Sequence, residues 1–399
     1  MVVASGEASR RLRERMAELT HTEAKDWFLT AKARQAMQVS FRAARETTYR
    51  SDVATQLFTC ITAIDPIIVA GLAPRYVDVD PQTLSLDPAL LEVGERTSAV
   101  VLQHTFGIVD EASSGLLQEA AHACGALLVE DCAHCVGRMA RGAGGEPLAD
   151  VSIHSFGVEK MLSGTYFGGA VWLNPSMANQ KLAQSLRIAF TELPAIPKRL
   201  EHASRSYLNQ VRILTRLPQG ASRALRAKWE RRGTFEPAVS EEERRGTTNH
   251  EPSLPSEWVC NQALAALKGL GANEQNRRTC VQAYASALEV DAPEGLFVPE
   301  AAFGASDQPL LRFPVFAQDE RHAKTIARAV ETLGYYMPDW PRPLLVPGVL
   351  DPVPYGLAGG TGGWPVSERL AAGVASLPTD VDPGRIPAIV QAVRDALRE

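Results

Sequence analysis

The stretch from Thr97 to Val129 constrains this 399-residue chain more than any other. Ala99, Val100, Val101 and Leu102 form an unbroken apolar run. Leu116, Leu117, Ala120, Ala121 and Cys124 then recur on one helical face, and Ala126, Leu127, Leu128 and Val129 run apolar again. Strands that are apolar throughout are buried on both faces, and a helix between two of them makes the crossover that parallel pairing requires. The spacing predicts an α/β domain around a parallel sheet. Polar residues mark the ends of the predicted strands: Gln103 and His104, then Glu130 and Asp131, then Ser155 after Val151, Ser152 and Ile153. In open α/β sheets the carboxyl ends of the strands border the ligand crevice, so a site is expected there.

With 45% hydrophobic and 22% charged residues, the chain is long enough for two or three packed units, and its composition excludes a disordered tail, a collagen-like rod or a small disulfide scaffold. Forty-one basic against 46 acidic residues leave a charge of −5, which gives the whole molecule no electrostatic attraction for nucleic acid. The start, Met1 to Arg11, has no apolar run of signal-peptide length, and Val53 to Pro74 is interrupted by Gln56, Asp65 and Pro66. A cytoplasmic protein is expected. Six dispersed cysteines, at 60, 124, 132, 135, 260 and 280, suit reduced thiols. Cys132 and Cys135 make a C-x-x-C, but no second ligand pair stands at zinc spacing. The reading is small packing residues around Asp131 and His134, with no metal.

Along the chain, residues 1–27 read as a helical arm or cap, with Arg11, Leu12, Met16 and Leu19 at helical spacing. Residues 28–248 read as the large domain and 249–399 as a smaller α/β domain. The latter carries a strand at Leu311 to Val315 and helices near Ala323–Leu333, Glu368–Val374 and Ile389–Leu397. Between Lys198 and Gly233, ten Lys or Arg against two Glu give +8, leaving −13 for the remainder. A solvated basic helix pair is the simplest reading; an anionic ligand, a partner or a membrane surface competes with it.

Chemistry concentrates between Glu130 and Gly169. Asp131 ends a strand, His134 follows three residues on, Ser155 stands five before Lys160, and Gly168-Gly169 follows. Each has a distinct use in binding pyridoxal phosphate. A carboxylate against the ring nitrogen raises its pKa and keeps it protonated, the condition for an electron sink, and Asp131 would supply it. A lysine reacts with an aldehyde only as the neutral amine, so Lys160 needs surroundings that depress its pKa. Ser155 and a helix amino terminus suit the phosphate, and His134 suits the phenolic oxygen.

The sequence here resembles the DegT/StrS sugar-nucleotide aminotransferases, over about residues 28–180. The resemblance is carried by Tyr76-Val77-Asp78-Val79-Asp80-Pro81, Gln103-His104-Thr105-Phe106-Gly107, Glu130-Asp131, Ser155-Phe156 through Lys160, and Gly168-Gly169. Trp364-Pro365-Val366-Ser367-Glu368-Arg369 and Leu377-Pro378-Thr379 look like the family's carboxy-terminal signature. It implies the aspartate-aminotransferase fold, with a mostly parallel seven-stranded sheet in a large domain plus a smaller α/β domain. It also implies a homodimer, pyridoxal phosphate as cofactor, and transfer of an amino group, from glutamate, to a keto sugar attached to a nucleotide in surface-polysaccharide or secondary-metabolite sugar biosynthesis. By position, Lys160 matches the Schiff-base lysine, Asp131 the partner of the pyridine nitrogen, and Ser155 a phosphate ligand. His134 stands where the family usually has Gln. Asn249 resembles the asparagine that reaches the phosphate across the dimer interface.

Two departures stand out. The phosphate segment reads Thr30-Ala31-Lys32-Ala33-Arg34, where the family has a glycine, so Ala33 and Arg34 would serve with an altered cup. Cys60 stands where many relatives stack an aromatic ring on the cofactor. These departures support the alternative of a non-catalytic binding or assembly scaffold. Another pyridoxal-phosphate reaction on a sugar nucleotide is a further alternative.

Overall fold

Seven strands form the central sheet of the computed structural model, which describes residues 6–162 and 164–398. They are β1 (Trp27–Thr30), β2 (Asp52–Thr55), β3 (Ala73–Tyr76), β4 (Thr97–Gln103), β5 (Leu127–Asp131), β6 (Val151–Ser155) and β7 (Gly169–Leu173), in the order β1-β7-β6-β5-β4-β2-β3. β7 runs antiparallel to both β1 and β6, and every other pairing is parallel. Consecutive residues of the central strands face opposite layers, as their apolar runs predict. Val101, Val129 and Ile153 pack with Phe41, Ile64 and Leu186 from α2 (Ala33–Thr48), α3 (Ile61–Val69) and α5 (Gln180–Thr191). Val100 and Leu128 pack the other way, against Leu117 and Ala121 of α4 (Glu111–Ala123). Leu116, expected on that buried face, is 53% exposed. The buried line of α4 runs Ser113, Ser114, Leu117, Ala121, and a neighbour in sequence lies about 100° round the helix.

The first helix, α1 (Glu7–Thr20), buries Leu12 and Met16 and packs with Cys260, Ala263 and Leu267 of α8 (Glu257–Leu267). The Glu257 carboxylate accepts bonds from the Ala8 and Ser9 N–H groups and the Ser9 hydroxyl. The amino-terminal segment is thus fastened to the large domain as a cap. The basic segment forms two helices, α6 (Lys198–Leu214) and α7 (Gln219–Arg232), and none of the residues of α7 is buried.

The chain enters its second core within α9 (Leu270–Val290), later than position 249. Leu270 still belongs to the core of α1 and α8, whereas Cys280, Tyr284 and Leu288 belong to the next. That core covers the antiparallel pair β8 (Arg312–Phe316) and β9 (Val374–Pro378) with α11 (Glu320–Thr332) and α13 (Ile386–Ala396). α10 (Glu300–Gly304) and α12 (Pro365–Gly373) complete the element set. Asp78 caps α12: its carboxylate accepts from the Val366 and Ser367 N–H groups and the Ser367 hydroxyl. One carboxylate therefore ties the end of a large-domain strand to a small-domain helix. Among the described residues no helix is long and apolar enough to cross a membrane.

Candidate active site

The carboxyl ends of β4, β5 and β6 open onto a cavity of about 440 Å³. Lys160, Asp131, His134, Ser155, Cys60, Ala33 and Arg34 all line it. Of the residues proposed from sequence to hold the cofactor, Asn249 lies elsewhere. Its amide donates to Glu242 at 3.0 Å, in a small crevice that shares Lys32 and Arg34 with the main cavity. Within this chain Asn249 does not reach the Lys160 site; its reach to a second copy stays a proposal.

Lys160 Nζ lies 2.9 Å from His134 Nε2, and His134 Nδ1 accepts the Phe106 backbone N–H at 3.1 Å. A backbone N–H can only donate, so the His134 proton sits on Nε2. The Nε2–H then needs an acceptor, and only a neutral amine offers one. Burial lowers the Lys160 pKa against the pull of Cys60 and Asp131, and burial is the main cause that holds His134 well below its ordinary value.

Asp131 is 8% exposed. Its Oδ1 accepts from the Ala133 N–H at 2.9 Å, and Oδ2 has no hydrogen bond among the described residues. Burial pushes this carboxyl up, while the Ala133 bond and the Lys160 charge pull it down. Since the lysine is itself driven towards neutrality, the carboxylate lacks a committed cationic partner.

At the far end α2 begins without a side-chain cap. The Ala33 and Arg34 N–H groups have no partner four residues back, and the helix dipole favours an anion there. No residue from Thr30 to Arg34 has positive φ, so this turn does not require the family's glycine. What it requires is Gly169: a Cβ there would lie 2.6 Å from Ala33 Cα and 2.8 Å from Ala33 N. The two nearby cations are already paired, Lys32 with Glu236 and Arg34 with Glu243. Ser155 Oγ accepts from the Gly157 N–H at 3.2 Å, leaving its own proton for another acceptor. Cys60 donates to the Val346 carbonyl at 3.2 Å and accepts from the Thr62 hydroxyl at 3.2 Å.

The small domain contributes Arg312, Trp340 and Ser376 to the lining. Trp340 meets His134 edge-on, with ring centres 4.7 Å apart. Sequence reasoning passed it over, although prolines at 338, 341, 343 and 347 signal a rigid loop around it. Arg312 has no carboxylate partner among the described residues. It donates to the Tyr336 carbonyl at 3.2 Å. His104 is both core and lining: it is 2% exposed, bonds Glu130 and borders the cavity.

These residues fit pyridoxal phosphate. A half-buried amine of lowered pKa, a carboxylate lacking a cation and an uncapped helix start match an aldehyde, a pyridinium and a phosphate in turn. The large-domain, small-domain architecture is shared with solved aminotransferase structures. Helicobacter pylori PseC, an aminotransferase involved in the biosynthesis of pseudoaminic acid, superposes with a TM-score of 0.70 at 16% identity, over 98% of this chain and 92% of that one. DesI, solved in the presence of its TDP-sugar product, gives 0.66 at 23% identity over 98% and 86%. Residues 2–192 match the model of the DegT/DnrJ/EryC1/StrS aminotransferase family. A UDP-2-acetamido-2-deoxy-3-oxo-D-glucuronate aminotransferase of Pseudomonas aeruginosa is 31% identical over 138 residues, 34% of this chain and 37% of the relative. An L-glutamine:2-deoxy-scyllo-inosose aminotransferase of Streptomyces paromomycinus is 37% identical over 127 residues, 28% and 29% of the two chains. The aligned part spans about a third of these curated relatives.

Proposed function

We propose that the protein is a pyridoxal-phosphate-dependent aminotransferase that places an amino group on a ketone of a sugar ring, with a nucleotide-linked keto sugar as the acceptor and glutamate as the donor. The observation that carries this reading is the Lys160 amine, its pKa lowered by burial and its Nζ 2.9 Å from His134 Nε2, in one cavity with Asp131. The relatives' names support the substrate class: one acts on a UDP-linked keto sugar and another aminates a keto-cyclitol. A homodimer working in the cytoplasm, in surface-polysaccharide or secondary-metabolite sugar synthesis, completes the proposal.

Bound pyridoxal phosphate supplies an aldehyde and a protonated ring that withdraws electrons from the substrate carbon. Lys160 would hold the aldehyde, and its free amine would be the base that moves the proton at the substrate carbon. Asp131 would face the ring nitrogen, and His134 would offer its Nε2–H to the ring oxygen. The Ala33 and Arg34 N–H groups and the Ser155 hydroxyl hold the phosphate, and Phe106 and Trp340 exclude water. Arg312, without a carboxylate partner at the mouth, receives the donor's carboxylate.

The test is the visible absorption spectrum of the purified protein with added pyridoxal phosphate, before and after glutamate. The wild type should form a Schiff-base band that bleaches with glutamate, and Lys160→Ala should form none. The pairing of Lys32 and Arg34 with Glu236 and Glu243 favours one second reading, a binding scaffold that has lost the cofactor. Failure of the wild type to take up pyridoxal phosphate would establish that reading and end the first.

A further inference from the structure

The sequence shows a C-x-x-C without a second ligand pair, and the fold brings it a third ligand from another strand. Cys132 and Cys135 bracket His134 in the turn after β5, where the Cys135 N–H donates to the Cys132 carbonyl at 3.1 Å. Both thiols are free and fully buried. His104 arrives from the end of β4, next to β5 in the sheet. The two sulfurs and an imidazole nitrogen of His104 all lie within 4.8 Å of one another.

The imidazole is already oriented. Its Nε2 lies 2.7 Å from Glu130 Oε1, so Nδ1 is the nitrogen left to act as ligand, and Nδ1 has no hydrogen bond among the described residues. Glu130 is itself fixed, accepting from the Ala140 N–H at 2.6 Å and from the Ser152 hydroxyl. A histidine whose second nitrogen is held by a buried carboxylate is the arrangement that orients imidazole ligands in metal sites. Zinc bonds of about 2.0–2.3 Å to nitrogen and sulfur set ligand atoms roughly 3.5–4 Å apart, so closing this trio requires a contraction of at most roughly 1.3 Å.

We propose that Cys132, Cys135 and His104 form a binding site for one thiophilic divalent cation of the zinc class, lying behind the turn that presents Asp131 and His134. Two thiolates balance the dication, and binding releases the two thiol protons, so no oxidant or reductant enters. His104 also lines the Lys160 cavity, which gives the ion an entry path to an otherwise closed cluster. The bound ion clamps the end of β4 to the turn of β5 and so supports Asp131 and His134 from behind; it takes no part in the amine chemistry.

The test uses the reduced full-length protein and zinc(II) alone, followed by desalting and metal analysis by mass spectrometry. The expected content is about one zinc per chain, falling about tenfold in Cys132→Ser, Cys135→Ser and His104→Gln and unchanged in Cys124→Ser. Cobalt(II) should give thiolate-to-metal charge-transfer absorption in the wild type and lose it in the same three variants. Because buried substitutions can unfold a chain, thiol alkylation of the folded wild type supplies a second measurement: zinc should slow labelling of Cys132 and Cys135 at least about tenfold and leave Cys60 unaffected. Zinc below about 0.1 per chain in the wild type, full zinc content in the Cys132→Ser, Cys135→Ser double variant, or unslowed labelling would each overturn the proposal. Zinc binding by a protein that takes up no pyridoxal phosphate would leave this site standing and remove only the amino-transfer reading.

Discussion

Replacing Glu236 by Gln tests the strap that closes the phosphate end of the cavity. The side chains of Glu236 and Lys32 are each 12% exposed. The Glu236 carboxylate binds Lys32 Nζ and, at 3.0 Å, His250 Nε2. Burial pushes the carboxyl up, but the His250 bond and the Lys32 charge outweigh it and bring its pKa from 4.5 to about 2. A carboxyl depressed in the folded state stabilises the fold fully above its unfolded pKa and loses that contribution as pH falls through the folded value. At about 1.36 kcal/mol per pKa unit, the depression is worth roughly 3 kcal/mol at neutral pH, roughly 1 kcal/mol near pH 3 and almost nothing near pH 1.

Gln keeps the shape of Glu and one acceptor oxygen while removing the charge, so Lys32 loses its counter-ion without a cavity being created. Urea unfolding of both proteins at several pH values between about 3 and 7 should give a stability gap of about 3 kcal/mol at the neutral end, narrowing to about 1 kcal/mol at the acid end. A gap under about 0.5 kcal/mol at neutral pH would place the pair in the class of exposed ion pairs that contribute little. A gap that stayed constant with pH would locate the effect outside Glu236 titration. Either result refutes the reasoning.

Two further substitutions separate charge from shape. Asp131→Asn retains an acceptor for the Ala133 N–H but cannot hold a pyridinium, so steady-state kcat should fall on the order of 10²–10³, the size of losing one preorganised electrostatic partner, with the melting temperature nearly unchanged. Gly169→Ala drives a Cβ against the Ala33 backbone and should cost about 1–3 kcal/mol in denaturant unfolding. It should also weaken retention of pyridoxal phosphate on gel filtration, because the phosphate-facing turn of α2 is what moves.

The parts of this molecule that were legible in sequence are those where burial and chemistry are close neighbours along the chain. β4, β5 and β6 announced themselves because both layers cover them, which leaves no polar alternation to disguise a strand. Asp131, His134, Ser155 and Lys160 fall within 30 residues and were read together. The pairings of Lys32 with Glu236 and Arg34 with Glu243 span 204 and 209 residues, and no local pattern encodes which acid meets which base. Trp340 and Arg312 reach the cavity only because the small domain folds over it. Asn249 was placed by motif alone, and the fold engages its amide with Glu242. The family's glycine was expected to matter for φ near Ala33, whereas the tight approach is at Gly169, on the strand the helix start abuts. Sequence named the residue types; the contact lies across the sheet.

The cavity is unusual for a packed interior in that three of its groups are each incomplete. Lys160 is half-buried beside His134, and burial lowers its pKa, when a lysine at the surface would be charged. Asp131 is buried with one oxygen unbonded, and burial raises its pKa. The start of α2 points uncapped N–H groups at the same space. Interiors normally satisfy such groups because each one left open costs about 1–3 kcal/mol, and a fold that served packing alone would fill them with side chains already at hand. Lys32 and Arg34 illustrate the alternative, since both are paired within the chain. An amine of lowered pKa, a half-bonded carboxylate and an uncapped helix terminus facing one another across a single cavity are therefore mutually explanatory. One ligand carrying an aldehyde, a basic ring nitrogen and a phosphate completes all three, and removing any one of the three protein groups should leave the other two exposed to solvent or to the wrong ligand.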